Sequence, residues 1–148
     1  MLKNTRITPG ETTQYEKILV AVGRTPAVAS LGLEKIGVKI GNKNGVETNE
    51  SMQTNLPNIF AIGDVAGKAF LAYTAEHEGK IAAAAILGKP KRPLRYDTVA
   101  STIFSLPEVA SVGLNEETAK KIGIEYIVGK SLSSGNAKAL IIGNRDGF

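Results

Sequence analysis

The chemistry of this chain starts from one dipeptide. Gly63-Asp64 closes the apolar run Ile59–Ile62, within the longer stretch TNLPNIFAIGDV (Thr54–Val65). The run predicts a buried strand, entered from Leu56-Pro57, and the carboxyl end of a strand in an open α/β sheet is where ligands bind. Gly63 lets another group come close to the backbone. Asp64 then offers two acceptor oxygens to sugar hydroxyls, the task an acidic residue performs for a ribose in dinucleotide sites. The same aspartate at a strand end can instead cap the following turn, and spacing alone leaves both readings open.

A second feature lies just downstream. Tyr73–Leu87 carries an alanine-rich helical pattern that begins near Leu71, after a short glycine-containing loop. The backbone amides of Leu71, Ala72 and Tyr73 therefore fall in the first turn, where N–H groups lack helical partners and the helix dipole favours an anion. An acceptor for hydroxyls beside donors for an anion describes a nucleotide or a flavin better than a metal.

Composition narrows the chemistry further. The 148 residues include no cysteine and one histidine, His77. That excludes a disulfide framework, a cysteine-ligated zinc or iron–sulfur centre, a thiol nucleophile and a multi-histidine metal site within this sequence. Carboxylates, hydroxyls, lysines or a bound cofactor remain, and no catalytic residue or metal ligand is assigned. His77 reads as a helix-surface residue.

These residues need elements to position them. With 43% hydrophobic and 22% charged residues, the chain is globular in composition. Ile18–Gly23 (ILVAVG) reads as a strand buried on both faces, as in parallel sheets, ended by Arg24-Thr25-Pro26. Residues 31–50 read as small strands and turns punctuated by Gly32, Gly37, Gly41 and Gly45, with a hairpin-type Asn44-Gly45. Residues 1–17 are polar, with a turn signal at Pro9-Gly10. The helix after Leu71 places Ala75, Ala82 and Ile86 on one face, and Gly88 and Pro90 stop it.

The texture then changes. Lys89, Lys91, Arg92 and Arg95 form a basic run, KPKRPLR, read as a solvated inter-domain linker, with a phosphate-contacting patch as the alternative. Without interleaved aromatics it offers no nucleic-acid recognition element. Beyond it, Val109–Leu114, Ile124–Val128 and Ala137–Ile142 alternate like strands of an antiparallel sheet. Between the first two, Glu116–Lys121 reads as a helix capped by Asn115, with acids first, lysines last and Gly123 following. A domain boundary is expected near residue 92. The chain stops at Asp146-Gly147-Phe148 just after an expected strand, so the second domain is expected to be incomplete.

No apolar run approaches the roughly 20 residues that span a bilayer, the longest being Ile81–Leu87. No apolar stretch follows Lys3 and Arg6, so no secretory signal is read. The expectation is a soluble, cytoplasmic protein with neither membrane nor nucleic acid as a partner.

The combination of motifs resembles a known family. TNLPNIFAIGDV followed by LAYTAEHEG (Leu71–Gly79) is similar to the second flavin-binding segment of the pyridine nucleotide–disulfide oxidoreductases. ILVAVGRTP (Ile18–Pro26) resembles the strand and turn where that family's NAD domain hands back to its FAD domain. PEVASVGLNEETAKKIGIEY (Pro107–Tyr126) and the later NAKALI and RDGF look like the opening of its dimerisation domain. The likeness runs from about Tyr15 to Phe148. Within the family, LA-x-x-A-x-x-EG and PEVASVGL look most like the dihydrolipoyl dehydrogenase branch, although Tyr73 stands where that branch commonly has histidine.

The resemblance implies an α/β fold: partial FAD- and NAD-binding Rossmann-like layers, followed by the beginning of an α+β dimerisation domain. It implies a tail of the NAD-binding domain over residues 1–30, a returning segment of the FAD-binding domain over 31–91 and the start of the dimerisation domain over 92–148. It implies FAD and NAD as cofactors. Gly63 and Asp64 would face the FAD ribityl chain or pyrophosphate region, and the amides of Leu71, Ala72 and Tyr73 the flavin pyrimidine edge. Gly23, and less directly Arg24, would lie beside NAD. A homodimer through the C-terminal segment and dihydrolipoamide on a carrier protein are the implied partners. The family's redox cysteine pair, glycine-rich phosphate loops and late His-Glu pair do not occur here. The chain is therefore expected to be inactive alone, a section of such an enzyme. The alternative is a non-catalytic flavin-binding or dimerisation module.

Overall fold

The computed structural model of the protein describes residues 15–89 and 92–148. The Pro9-Gly10 turn signal, and Pro90 and Lys91 of the basic run, lie outside the described residues. The chain divides at Pro93–Leu94 into two units.

In the first unit, short antiparallel contacts enclose a small aliphatic core. Asn44 takes the left-handed conformation (φ 59°) that a tight reversal demands. Gly41 N–H donates to Gly45 O at 2.8 Å, and the turn pairs Ile40 with Val46. The expected Asn44-Gly45 reversal is thus formed. A second reversal pairs Gln53 with Phe60, with Thr54 N–H donating to Ile59 O at 2.9 Å and Ala61 N–H to Met52 O at 3.0 Å. Val28, Val38, Val46 and Ala61 are buried together, with Leu33, Ile40, Leu56, Ile59 and Val65 packed around them. Asn55 joins the two reversals: its side chain accepts from Lys39 N–H at 2.9 Å and donates to Gly37 O at 2.8 Å.

The strand expected at Ile59–Ile62 is therefore a single bridged residue in an extended segment, with Ala61 buried and Ile62 40% exposed. Ile18–Gly23 departs further from expectation. It forms no strand, and Leu19 and Val22 are 91% and 95% exposed. A strand buried on both faces takes its hydrogen bonds from two neighbours and its cover from helices. Among the described residues nothing pairs with this run.

Helix α1 spans Ala72–Ile86. Leu71 precedes it in extended conformation (φ −136°, ψ 127°) without a side-chain cap. At its far end Gly88, at φ 63°, lets Lys89 N–H turn back to Ala84 O at 2.8 Å and Gly88 N–H to Ala85 O at 3.0 Å. That pair of bonds is a glycine-dependent helix stop. The buried face of α1 is Thr74, Glu78, Ile81 and Ala82. This corrects the face expected from Ala75, Ala82 and Ile86, because Ile86 is 66% exposed. On the outer face Lys80 donates to Glu76 at 2.5 Å, one turn away. That hydrogen bond, with the ammonium charge, holds the Glu76 carboxyl below its ordinary range. Being exposed, the pair adds little to stability.

The second unit holds one two-stranded antiparallel ladder among its described residues. Strand β1 (Ser101–Ile103) pairs with β2 (Val109–Ser111), Thr102 opposite Ala110. Helix α2 (Glu116–Lys121) is formed over the expected residues. The Asn115 side chain accepts from Thr118 N–H at 2.8 Å, and Gly123 (φ 74°) directs Ile124 N–H to Ala119 O at 3.0 Å.

Two expected strands are corrected here. Ile124–Val128 has no ladder, its first amide being committed to the end of α2. Ala137–Ile142 is mostly a helix, α3 (Ala137–Ile141). Asn136 decides this, since its side chain accepts from Lys138 N–H at 2.9 Å and Ala139 N–H at 3.2 Å. With the start capped and no neighbouring strand, Ala-Lys-Ala-Leu follows its helical propensity.

The first unit contains a close approach of backbone to backbone. A Cβ on Gly45 would lie 2.7 Å from Ala66 C and O and 2.9 Å from Gly67 Cα. Neither neighbour is a flexible side-chain tip, so the two segments would have to separate, at an expected cost of about 1–3 kcal/mol. Gly45→Ala should lower the thermal unfolding midpoint, followed by circular dichroism. Gly129→Ala, where a Cβ meets nothing within 4 Å, should unfold with the parent chain. Equal midpoints for both variants would show that this approach is not a constraint.

Candidate functional site

The site forms where the extended segment Ile59–Ile62 ends and α1 begins. Gly63–Ala66 makes one short 3-10 turn, closed by Gly67 N–H donating to Asp64 O at 3.0 Å. Gly63 is buried in the left-handed region (φ 70°), and a Cβ on it would sit 3.1 Å from the Ala75 methyl of α1. The glycine is thus needed twice, for conformation and for the packing of the helix against the turn. The Asp64 side chain, one residue on, is exposed.

The link between turn and helix is Glu78. Its side chain is fully buried, at 0% exposure. Its Oε2 accepts a hydrogen bond from Gly63 N–H at 2.5 Å. A carboxylate is costly to bury unless hydrogen bonds and opposite charge compensate it. Lys68, at the far end of the same loop, supplies opposite charge. Burial pulls its ammonium below the ordinary lysine range, and the charge of Glu78 partly opposes that shift. Lys68 Nζ also donates to Thr48 O at 3.4 Å.

The start of α1 follows from the same geometry. Thr74 N–H and Ala75 N–H both donate to Leu71 O at 3.1 Å. The amides of Leu71, Ala72 and Tyr73 precede these first helical bonds, as the sequence pattern requires. Ala72 and Tyr73 are exposed and Leu71 is half-buried.

Arg24 is brought to this place from 46 positions away in the sequence. Its Nη2 donates to Phe70 O at 3.0 Å, and its guanidinium lies 5.2 Å from the centre of the Phe70 ring. Pro26 adds to the contact, its Cγ lying 3.2 Å from where a Gly67 Cβ would stand. Residues 24–26 are therefore laid along the loop that feeds α1. Gly23 adjoins them at φ 153°, with nothing within 4 Å of a Cβ built there. His77 is exposed on the helix surface.

Sequence reasoning selected Gly63, Asp64, Leu71, Ala72 and Tyr73, which this loop and helix hold in one neighbourhood, and Arg24, which is tied to Phe70. It missed Glu78 and Lys68. The available signal was the spacing Thr74–Glu78–Ala82, which places a glutamate between two small residues on one helix face.

The arrangement presents an exposed carboxylate after a strand-like segment, a helix start whose first-turn amides precede the first helical bonds, and an arginine held on an aromatic ring. Comparison with known proteins bears on what it serves. The pyridine nucleotide-disulphide oxidoreductase profile matches residues 2–79, and the profile of that family's dimerisation domain matches residues 99–148. A dihydrolipoyl dehydrogenase from Geobacillus stearothermophilus is 43% identical over 93% of this chain and 29% of its own length. One from Halobacterium salinarum is 40% identical over 94% of this chain and 30% of its own. The chain thus spans less than a third of these relatives. Among solved structures, LpdA from Mycobacterium tuberculosis is similar at a TM-score of 0.70 with 31% identity, over 82% of this chain and 26% of that one. The HOCl-induced flavoprotein disulfide reductase RclA from Escherichia coli is similar at 0.73 with 29% identity, over 86% and 29%. Both profiles and the mixture of helices and short strands give an α/β chain with partial nucleotide-binding and dimerisation parts. Among the described residues no helix is long and apolar enough to cross a membrane.

Thr74, in the first turn of α1, carries a testable consequence. It is 1% exposed, and among the described residues its Oγ1 has no hydrogen-bond partner. A buried hydroxyl left unpaired costs about 1–3 kcal/mol. Thr74→Val keeps the branched shape and removes that cost. The expected outcome is a chain of equal or higher unfolding midpoint in thermal denaturation. A clear loss of stability would show that the hydroxyl is engaged.

Proposed function

Because the chain belongs to the pyridine nucleotide-disulphide oxidoreductase family, we propose that it supplies the flavin-facing and subunit-facing parts of an FAD-dependent, NAD-linked enzyme of the dihydrolipoyl dehydrogenase type. The observation that carries this reading is the 43% identity to such an enzyme along 93% of the chain. In this reading residues 1–30 are the tail of an NAD-binding domain, 31–91 the returning segment of an FAD-binding domain and 92–148 the start of a dimerisation domain. The enzyme works in the cytoplasm on dihydrolipoamide presented by a carrier protein.

The site residues fit the cofactor by the chemistry of their donors and acceptors. Asp64 holds its exposed carboxylate where hydroxyls of the FAD ribityl chain, or the pyrophosphate region, would meet it. The first-turn amides of Leu71, Ala72 and Tyr73 face negative charge on the flavin pyrimidine edge, which the helix dipole favours. Gly63, lacking a side chain, keeps the backbone approachable. Gly23 leaves room for NAD, and Arg24 is held beside it by Phe70. When bound, FAD relays two electrons between a dithiol and NAD, and the protein orients and tunes the cofactors.

The homodimer assigned to the C-terminal segment draws support from the dimerisation-domain match at residues 99–148. Ile103, Phe104, Leu106, Val109 and Val112 are all exposed there. A second reading, a non-catalytic flavin-binding or dimerisation module, is favoured by one fact: these 148 residues contain no cysteine. Dithiol exchange needs a thiolate. With NADH, FAD and lipoamide, this chain should therefore give no turnover above that of free flavin. Turnover in a spectrophotometric NADH assay would contradict that expectation.

Titration with FAD, followed by flavin fluorescence and gel-filtration size, tests the binding reading. Saturable binding to a compact species is expected. Asp64→Asn keeps the shape but removes the charge, and a hydrogen bond to a charged group contributes about 1.5–3 kcal/mol. The variant should bind FAD roughly tenfold more weakly or worse. Equal affinity would remove Asp64 from the flavin site.

A further inference from the structure

A glutamate within an alanine-rich helix would ordinarily face water. Glu78 instead lies on the buried face of α1, at 0% exposure. Its Oε2 is 2.5 Å from Gly63 N. That amide belongs to a residue at φ 70°, where the chain leaves the extended segment. Rotation of the Ile62–Gly63 peptide plane would break this bond and swing the next residue, Asp64. The other end of the loop answers to the same side chain through Lys68, which feels the Glu78 charge and bonds Thr48 O at 3.4 Å.

Two further contacts act in concert. Ala75, three residues before Glu78, would be the nearest neighbour of a Gly63 Cβ at 3.1 Å. Gly79, one residue after it, would carry a Cβ 3.4 Å from Ile62 Cδ1. The helix is therefore packed directly on the strand end, and Glu78 supplies the directional bond at that contact. Because Glu78 stands fewer than two turns after Ala72, a bond from it also orients the turn relative to the start of α1.

We propose that Glu78 is a positioning residue. Its carboxylate fixes the Gly63-Asp64 turn against α1, so that the Asp64 acceptor and the first-turn amides of Leu71–Tyr73 face one ligand in a set relation. This rests on the flavin reading above. It concerns Glu78 only through the loop, with no contact between Glu78 and the cofactor. The expected effect on affinity is that of losing one hydrogen bond to a charged group, on the order of tenfold.

The test uses the 148-residue chain in parent form and as Glu78→Gln, Glu78→Ala and Asp64→Asn, with FAD as the titrant. Hydrogen exchange at the Gly63 amide is read in parallel, without cofactor. Glu78→Gln keeps the size and one acceptor oxygen, so FAD affinity should fall in the order parent, Gln, Ala, with Gly63 exchange rising in that order. Should the alanine variant fail to fold, the isosteric glutamine variant decides. Unchanged affinity in Glu78→Gln and in any folded Glu78→Ala, while Asp64→Asn weakens binding, overturns the positioning role and leaves the flavin reading standing. No FAD binding by the parent chain overturns the flavin reading and this inference with it, whereas no effect of Asp64→Asn on a chain that binds FAD removes Asp64 from the site and overturns this inference alone.

Discussion

The hydrogen bond from Gly63 N–H to the buried Glu78 carboxylate is the contact around which the first unit is arranged. It joins residues 15 apart in sequence, one at the end of an extended segment and one in the second turn of α1. The contact is demanding in both directions. A buried carboxylate must be satisfied, so the helix has to lie on the loop. A glycine at φ 70° must stay small, because Ala75 occupies the space a side chain would take. Charge, conformation and packing therefore select the same arrangement.

The loop so fastened is held from other sides as well. Gly45 and Gly67 bring two backbone segments closer than any side chain would allow. Val46 N–H reaches Val65 O at 2.9 Å, tying the first reversal to the turn that carries Asp64. Arg24 grips Phe70 by its carbonyl and its ring. Asp64 and the start of α1 are thus set by the Glu78 and Arg24 side chains together with backbone bonds and close glycine contacts. A loop built this way keeps its geometry while its surface residues vary, which accords with relatives 40–43% identical to this chain.

Elsewhere apolar surface lies open. The Ile18–Val22 run is exposed, and Ala119 is the one hydrophobic side chain buried among the described residues of the second unit. Patches of this kind mark surfaces that other protein covers. In the proposed enzyme, further strands of a nucleotide-binding layer and a second subunit would cover them. The chain spans 29% of the Geobacillus relative it matches. Strand formation is the property most sensitive to such neighbours, because a strand's hydrogen bonds are made to other segments, whereas a helix makes its own.

That difference explains what was legible in the sequence. The limits of α1 and α2, the Asn44-Gly45 reversal and the Asn115 cap are local events, decided within a few residues by propensity, capping and glycine. The family could be read from motif order for a similar reason, since TNLPNIFAIGDV and LAYTAEHEG are contiguous strings. Strands at Ile18–Gly23, Ile124–Val128 and Ala137–Ile142 were misjudged, because apolar runs and alternation record a preference and supply no partner. In the last of these, the Asn136 cap turned the chain into a helix. The buried role of Glu78 and the grip of Arg24 on Phe70 were decided by tertiary structure alone. They join residues 15 and 46 positions apart, and only the packing of α1 on the loop, and of residues 24–26 along it, brings such groups within hydrogen-bonding distance.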